Sequence, residues 1–249
     1  MSLKYKIMIV LGLCFLLCLS SYFIIARMFE NIENQLFEKC RIEALIGSRV
    51  MSEAIELMIE TGLISEGDAF DTSYIEMPGT NPKKYTTRYD AVFEKNLQRV
   101  IDEFLQDPDV TYAVIVDKNG YAPTHNSVYS KKLTADPSQN LKLSRSKRIF
   151  DDPVGLKAAR FNGDGTIKQL YYRDTGETIW DISAPVRVRD RHWGAFRVGI
   201  QLNRIDEIKN QMIILIGMSL LVILSVTMLM LFLIIPRKIY ENDLDIPKY

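Results

Sequence analysis

The sequence predicts an α+β domain held between two membrane-spanning helices. Three observations carry that reading. Uncharged apolar runs lie near both ends, at 7–26 and 212–235. Between them, apolar residues recur first at helical spacing, up to about residue 105, and then at strand spacing from residue 111 onward. Turn dipeptides separate the strand-like stretches at hairpin distances. Leading helices followed by a meander of strands, without alternation, indicate an antiparallel sheet rather than a parallel one.

The first apolar run, Ile7 to Ala26, holds about 20 residues and the second, Met212 to Ile235, about 24; at 1.5 Å per residue either helix crosses a hydrocarbon layer of about 30 Å. Lys4 and Lys6 precede the first run, and Arg237 and Lys238 follow the second. Positive residues in short flanks stay cytoplasmic, so both termini are expected inside and the middle outside. Arg27, Arg204 and Lys209 on the outer flanks weaken the contrast. The expected division is a cytoplasmic N-terminus 1–6, a span 7–26, an outer domain 27–211, a span 212–235 and a short cytoplasmic tail 236–249. The first run also reads as a cleaved signal peptide, with Cys18-Leu19-Ser20 as its small-residue site. Its continuation past Ser21 to Ala26 favours a span.

From Met28 to about Thr61, Ile32, Leu36, Ile42, Leu45, Ile55 and Ile59 fall at helical spacing. Only Gly47 interrupts, so one long helix continues from the first span. Gly62 and Gly67-Asp68 end it. Residues 63–86 read as a loop, with Pro78-Gly79 and Asn81-Pro82 as turns. A second helix is expected over about 89–105, stopped before Asp107-Pro108.

Thr111 to Val116 is a short strand, and Asp117-Lys118-Asn119-Gly120 is a hairpin turn leading to a partner at 121–125. Residues 126–146 read as loop. Asp152 to Ala159 is a short helix with Pro153 early in it. Three strands follow, at 167–173, 178–187 and 193–201, joined through Asp174-Thr175-Gly176 and Arg189-Asp190-Arg191. With 111–116 and 121–125 they make a five-stranded antiparallel sheet. A helix from Asn203 leads into the second span.

The chain carries 31 Lys plus Arg against 31 Asp plus Glu, which gives no basic surface for nucleic acid. Cys14 and Cys18 lie in the first span and only Cys40 lies outside it. The outer domain therefore has no intrachain disulfide and must be held by packing.

The order of long helix, small antiparallel sheet and exit helix resembles the plan of single Cache domains, the extracellular PAS-like sensors of bacterial receptors. Six segments extend the likeness over roughly residues 75–201. They are Tyr85-Thr-Thr-Arg-Tyr89, Asp117-Lys-Asn-Gly-Tyr-Ala-Pro-Thr-His-Asn126, Lys147-Arg-Ile-Phe-Asp-Asp-Pro-Val-Gly-Leu156, Tyr172-Arg-Asp-Thr-Gly176, Trp180-Asp-Ile-Ser-Ala-Pro185 and His192-Trp-Gly-Ala-Phe-Arg-Val-Gly199. They look like the sensor region of one group of methyl-accepting chemotaxis proteins. The resemblance implies a periplasmic input domain of a dimeric transducer in a bacterial inner membrane. Such transducers continue into a HAMP linker and a cytoplasmic signalling coiled coil. Here Ile235-Pro236-Arg237-Lys238 looks like a HAMP entry, and the sequence stops soon after. A signal is then expected to need a partner membrane protein or a heterodimer with a full-length transducer, and the chain itself is expected as a homodimer or in that heterodimer.

No nucleophile–base set and no HExxH or CxxCH spacing is present, so neither an enzyme nor a resident cofactor is expected; noncovalent haem through His125 stays open. For a small ligand the candidate residues are His125, Arg148, Tyr171, Arg173 and Trp180. Planar guanidinium groups hold carboxylates through two parallel hydrogen bonds, and aromatic walls complete such pockets. Arg160 belongs to the same set of arginines near the sheet. For each arginine the competing reading is an internal ion pair with Asp151, Asp174 or Asp181. By alternation Tyr171 and Arg173 share one face and Tyr172 lies on the other. Three functions remain: a chemoreceptor-type sensor, a passive anchored solute-binding protein, and a truncated receptor without output.

Overall fold

A computed structural model describes residues 3–235; the tail 236–249, with the Pro236-Arg237-Lys238 of the HAMP-like entry, lies outside the described residues. The chain forms two compact units. One comprises the chain ends, up to Asn34 and from Ile205; the other is Gln35–Arg204.

Two long helices supply the first unit. Helix α1 runs Leu3–Glu60 without a break, and α6 runs Leu202–Ile234. Each contains a stretch long and apolar enough to cross a membrane. Side chains such as Phe15, Phe23, Met228 and Leu233 are more than half exposed along them. An exposed apolar surface of this length suits a membrane, and a helix meets its backbone hydrogen bonds within itself there. The two helices touch through Ser21 Oγ and Ser219 Oγ, 2.8 Å apart. Small hydroxyl side chains of this kind allow close helix approach in lipid.

In the second unit a four-stranded antiparallel sheet runs in the order β3 (Tyr112–Asp117), β8 (Arg191–Gln201), β7 (Thr178–Val188), β6 (Ile167–Tyr172). The lower part of α1 covers one face. Its buried residues Leu36, Cys40, Ala44, Gly47, Met51 and Ile55 repeat every three or four positions and form one stripe. Gly47 is where the helix comes closest to the sheet: a Cβ built there would lie 2.1 Å from Phe196 Cε1. Ser48 donates to Pro185 O at 2.5 Å, and Phe37 meets Trp180 edge-on. Helix α3 (Asp90–Glu103) buries Phe93, Leu97 and Ile101, and Phe104 in the 3-10 turn after it packs on Phe196. The β7–β8 register slips between Val186 and Arg187, so Trp193 has no partner in β7. Its ring packs on Tyr89 and Phe93, and its Nε1 donates to Ala69 O.

The β7–β8 hairpin closes through Arg189 and Asp190, both at positive φ. Such two-residue loops match the right-handed twist of the strands. Neither residue is glycine, so the turn depends on outside support. Glu56 Oε1 accepts Arg189 N, and Glu66 pairs with both Arg189 and Arg191 at 2.6 and 2.8 Å.

The sheet has four strands where five were expected. The strand after the Asp117–Gly120 turn is β4 (Tyr121–Ala122), and it pairs with β5 (Arg148–Ile149). Among the described residues its one bridge to β3 is the isolated pair Val114 and His125. Asp117 Oδ1 accepts the N–H groups of Asn119 and Tyr121, and Oδ2 accepts the hydroxyls of Tyr74 and Tyr89. The turn is thereby closed by a side chain, and the chain leaves β3 for the covering segment. Gly120, at φ +83°, lies there against the Phe150 carbonyl, which a Cβ would approach to 2.4 Å.

Two expected loops hold short elements. Residues 63–86 contain α2 (Glu66–Ala69), capped by Ser65, and a ribbon of β1 (Ile75–Glu76) with β2 (Tyr85–Thr86). Residues 126–146 contain a 3-10 turn, Ser127–Tyr129, and α4 (Pro137–Leu143), capped by Asp136. Elements this short carry too few residues for a period to appear. The helix expected over 152–159 is α5 (Pro153–Arg160), with Asp152 Oδ1 accepting from Val154 N and Gly155 N.

Candidate functional site

The sheet face opposite α1 is chemically unlike the covered one. Alternation along β3, β7 and β8 places Tyr112, Val114, Asp181 and Arg197 there. The segment from His125 to Phe150 lies over this face, and a small cavity of about 10 Å³, room for about one water molecule, lies between the two. Tyr112, Val114 and Arg197 form its floor, Tyr171 and Arg173 one wall, and His125, Arg145 and Phe150 the roof.

Three guanidinium groups reach the cavity, and each is held in two ways. Arg145 pairs with Asp174 at 2.8 Å and lies over the Phe150 ring. Arg173 pairs with Glu177 at 2.5 Å and lies between the rings of Tyr112 and Tyr129. Arg197 donates from Nε to Asp181 Oδ1 at 3.0 Å and lies over Tyr171. Asp181, with no exposed surface, also accepts Tyr112 OH at 2.6 Å and Ser183 Oγ at 2.8 Å. Ion pairing and ring stacking together leave each guanidinium one orientation.

Arg197 is the distinctive member. It is 2% exposed, and its Nη2 is buried without a hydrogen-bond partner. Burial works against its charge, but Asp181 and the phenols of Tyr112 and Tyr171 outweigh that and push its pKa up. Arg145 is held below the ordinary guanidinium range by burial, and by Arg173 beside it. An unmet charged donor inside a protein costs about 1–3 kcal/mol or more, so its retention asks for an acceptor.

His125 is 3% exposed and its pKa lies well below the ordinary imidazole value, first through burial and then through the surrounding arginines. It is therefore neutral. Its Nδ1 accepts Asn126 N at 2.8 Å, which assigns the proton to Nε2. A metal-bound imidazole needs Nε2 free as a base, with Nδ1–H donating, and this arrangement is the reverse. The residues present accordingly do not fit a haem. Among the described residues no group of three or more His, Cys, Asp or Glu side chains could hold a metal ion.

The structure thus brings His125, Tyr171 and Arg173 of the sequence candidates to one cavity. Arg148 does not line the cavity; it shares Asp174 with Arg145, at 2.6 Å, and lies over the Phe150 ring. Trp180 lies on the α1 face, against Phe37 and beneath Lys168 Nζ. Arg160 is exposed at the end of α5. Sequence reasoning missed Arg145, Arg197, Tyr112 and Phe150. Arg197 had a signal: it is the one charged residue within Trp193–Ile200, on the parity opposite Phe196 and Val198. Arg145 had none, since only the fold of the covering segment brings it inward.

No family model matches the chain, and no curated protein matches it significantly. Among solved structures it is similar to an extracellular ligand binding receptor from Desulfohalobium retbaense, at 12% identity and TM-score 0.41, covering 76% of this chain and 27% of that one. It is similar to the ligand-binding domain of the Campylobacter jejuni chemoreceptor Tlp3 in complex with L-valine, at 11% identity and TM-score 0.35, covering 77% and 65%. It is similar to the sensor domain of the Vibrio cholerae histidine kinase DctB, at 12% identity and TM-score 0.33, covering 74% and 59%. The chain spans less than two thirds of the length of each of these three structures. These neighbours are sensor and ligand-binding receptor domains.

Proposed function

We propose that the chain is a membrane-anchored sensory protein of chemoreceptor type, whose extracytoplasmic PAS-like domain binds a small solute in the arginine-lined cavity. The observation that carries this is Arg197 Nη2, a buried charged donor with no protein partner beside that cavity. On this reading residues 27–211 lie in the periplasm, and 7–26 and 212–235 cross the inner membrane. His125, Tyr171 and Arg173 contact the solute directly, Arg148 holds the roof through Asp174, and Trp180 stiffens the sheet from behind. The relay follows the chain. Arg197 lies on β8, β8 ends at Gln201, and α6 begins at Leu202. A solute that prefers one position of β8 biases whatever α6 does next, by its differential affinity for the two states and no more. The chain pairs as a homodimer or with a full-length transducer. Ile42, Ile46 and Leu57, exposed on α1, give such a partner an apolar stripe.

Thermal unfolding of the full chain in detergent, screened against amino acids, carboxylates and amines, tests the reading. A ligand that binds only the folded form must raise the midpoint. A midpoint unmoved by all three classes refutes it. A passive solute-binding protein would show the same rise, but without co-purification of a second receptor chain.

A further inference from the structure

We propose that Lys84 is a reversible carboxylation site, whose amine takes up carbon dioxide as a carbamate. The site is separate from the arginine-lined cavity and does not depend on the solute-binding reading. Lys84 immediately precedes β2 and is 7% exposed. Its Nζ donates to Ser146 O at 2.7 Å, which is its one side-chain hydrogen bond among the described residues. An ammonium carries three donors, so two are left without a protein acceptor. Lys39 and Lys83 differ, since each reaches a carboxylate. The Ser146 carbonyl directly precedes Lys147 and Arg148, and both of these cations act on Lys84. Lys147 pairs with Glu94 at 3.0 Å, and Arg148 shares Asp174 with Arg145. In this connected group Lys84, Lys147, Arg148 and Arg145 thus face only Glu94 and Asp174. A carbamate at Lys84 replaces a positive charge with a negative one and brings the group into balance.

The same surroundings supply the reactive form of the amine. Burial, and then Arg148 and Lys147, push it down to about 8. About half of it is therefore neutral near pH 8, against roughly 0.3% for a lysine at its ordinary 10.5. The neutral lone pair attacks the carbon of carbon dioxide. The N–C bond forms, one C=O π pair moves onto oxygen, and Nζ releases one proton to water. No oxidant or reductant is needed. The product keeps a single N–H, which Ser146 O can still accept. Its carboxylate is attracted by Lys147 and Arg148, which repel the ammonium. Carbon dioxide is small and uncharged. Ser146, Lys147 and Arg148 are only half-buried, so the amine lies close beneath the solvent surface.

Chemical trapping on the full chain in detergent tests this. The protein is equilibrated near pH 8 with isotopically labelled bicarbonate, which supplies dissolved carbon dioxide. Triethyloxonium then alkylates the carbamate oxygen to a stable ethyl carbamate, and the digested chain is read by mass spectrometry. Lys84 should carry the labelled adduct at an occupancy at least tenfold above that of the exposed Lys118, Lys132 and Lys157. That excess should vanish in urea, where all lysines are alike. Lys147→Gln, shown to be folded by its fluorescence melt, should lower the occupancy of Lys84 at least threefold, because it removes a cation that both favours the neutral amine and attracts the product. Lys84 labelled no more than the exposed lysines overturns the proposal. An excess that persists in urea, or that is unchanged in folded Lys147→Gln, overturns it too. Label held by the folded chain with no ethyl adduct at Lys84 would mean bound bicarbonate and not a carbamate, which also overturns it. None of these outcomes bears on the solute-binding reading, which the thermal screen decides.

Discussion

Replacing Asp181 with leucine should destabilise the domain far more than replacing Asp181 and Arg197 together. Asp181 has no exposed surface and receives Arg197 Nε, Tyr112 OH and Ser183 Oγ. Leucine there leaves a guanidinium that is 2% exposed, always charged and stripped of its counter-ion. Removing one partner of a buried ion pair costs about 3–5 kcal/mol. Arg197→Met leaves a carboxylate that keeps its two hydroxyl donors, and about 1–3 kcal/mol is expected for the lost charge-assisted bond. With both groups replaced by apolar side chains the penalty of a stranded charge vanishes and only the hydroxyls of Tyr112 and Ser183 lose their acceptor, so the double variant should be more stable than Asp181→Leu by about 1–3 kcal/mol. For a domain of this size each kcal/mol moves the melting midpoint by about 2–4 °C, so Asp181→Leu should drop it by roughly 10 °C. Both tryptophans, Trp180 and Trp193, lie in the unit Gln35–Arg204, so intrinsic fluorescence reads that unit's unfolding and not that of the apolar helices. Strict additivity of the two single losses in the double variant, or a loss below about 1 kcal/mol for Asp181→Leu, would show that the pair is not the coupled element described here.

Two further outcomes are expected. Gly47→Ala places a Cβ 2.1 Å from the Phe196 ring, between α1 and the sheet, and should cost about 1–3 kcal/mol in a fluorescence melt; a variant as stable as the parent would mean that the helix is not seated there. Glu43 is pushed up to about 8, chiefly by burial and then by Asp107 beside it, while Lys39 and Asp109 belong to the same group. A carboxyl whose folded pKa exceeds its unfolded value of 4.5 stabilises fully below that value, and the contribution fades as pH rises toward 8. The melting midpoint should therefore fall from about pH 5 to pH 8, and Glu43→Gln should flatten that slope; a slope unchanged in the variant would exclude Glu43 as its origin.

The elements that could be read in advance are those with enough residues to express a period. The stripe on α1, the helix Asp90–Glu103 and the strands β6, β7 and β8 all repeat their apolar side chains over several turns or pleats. Asp152-Pro153 announced α5 through a cap and a fixed φ. What escaped was short or depended on distant partners. The four-residue α2 and two-residue β1 and β2 have no period to show. The fate of Tyr121–Ala122 turned on whether Asp117 would spend its carboxylate closing its own turn, and that required Tyr74 and Tyr89 to arrive from elsewhere in the chain.

Sequence alone determined that this chain holds two lengths of helix suited to lipid and an α+β domain between them, because both follow from local periodicity and the apolar content of continuous segments. It also placed Tyr171 and Arg173 on one face, since a pleat alternates without reference to anything beyond the strand. Only the tertiary structure decided that Arg145 comes in from the covering segment to meet them. Only it could show that Asp181 engages one edge of Arg197 and leaves Nη2 buried beside the cavity. Those facts depend on which groups meet across strands and loops far apart in the chain, and hydrogen bonding between such groups leaves no period in the residues that take part.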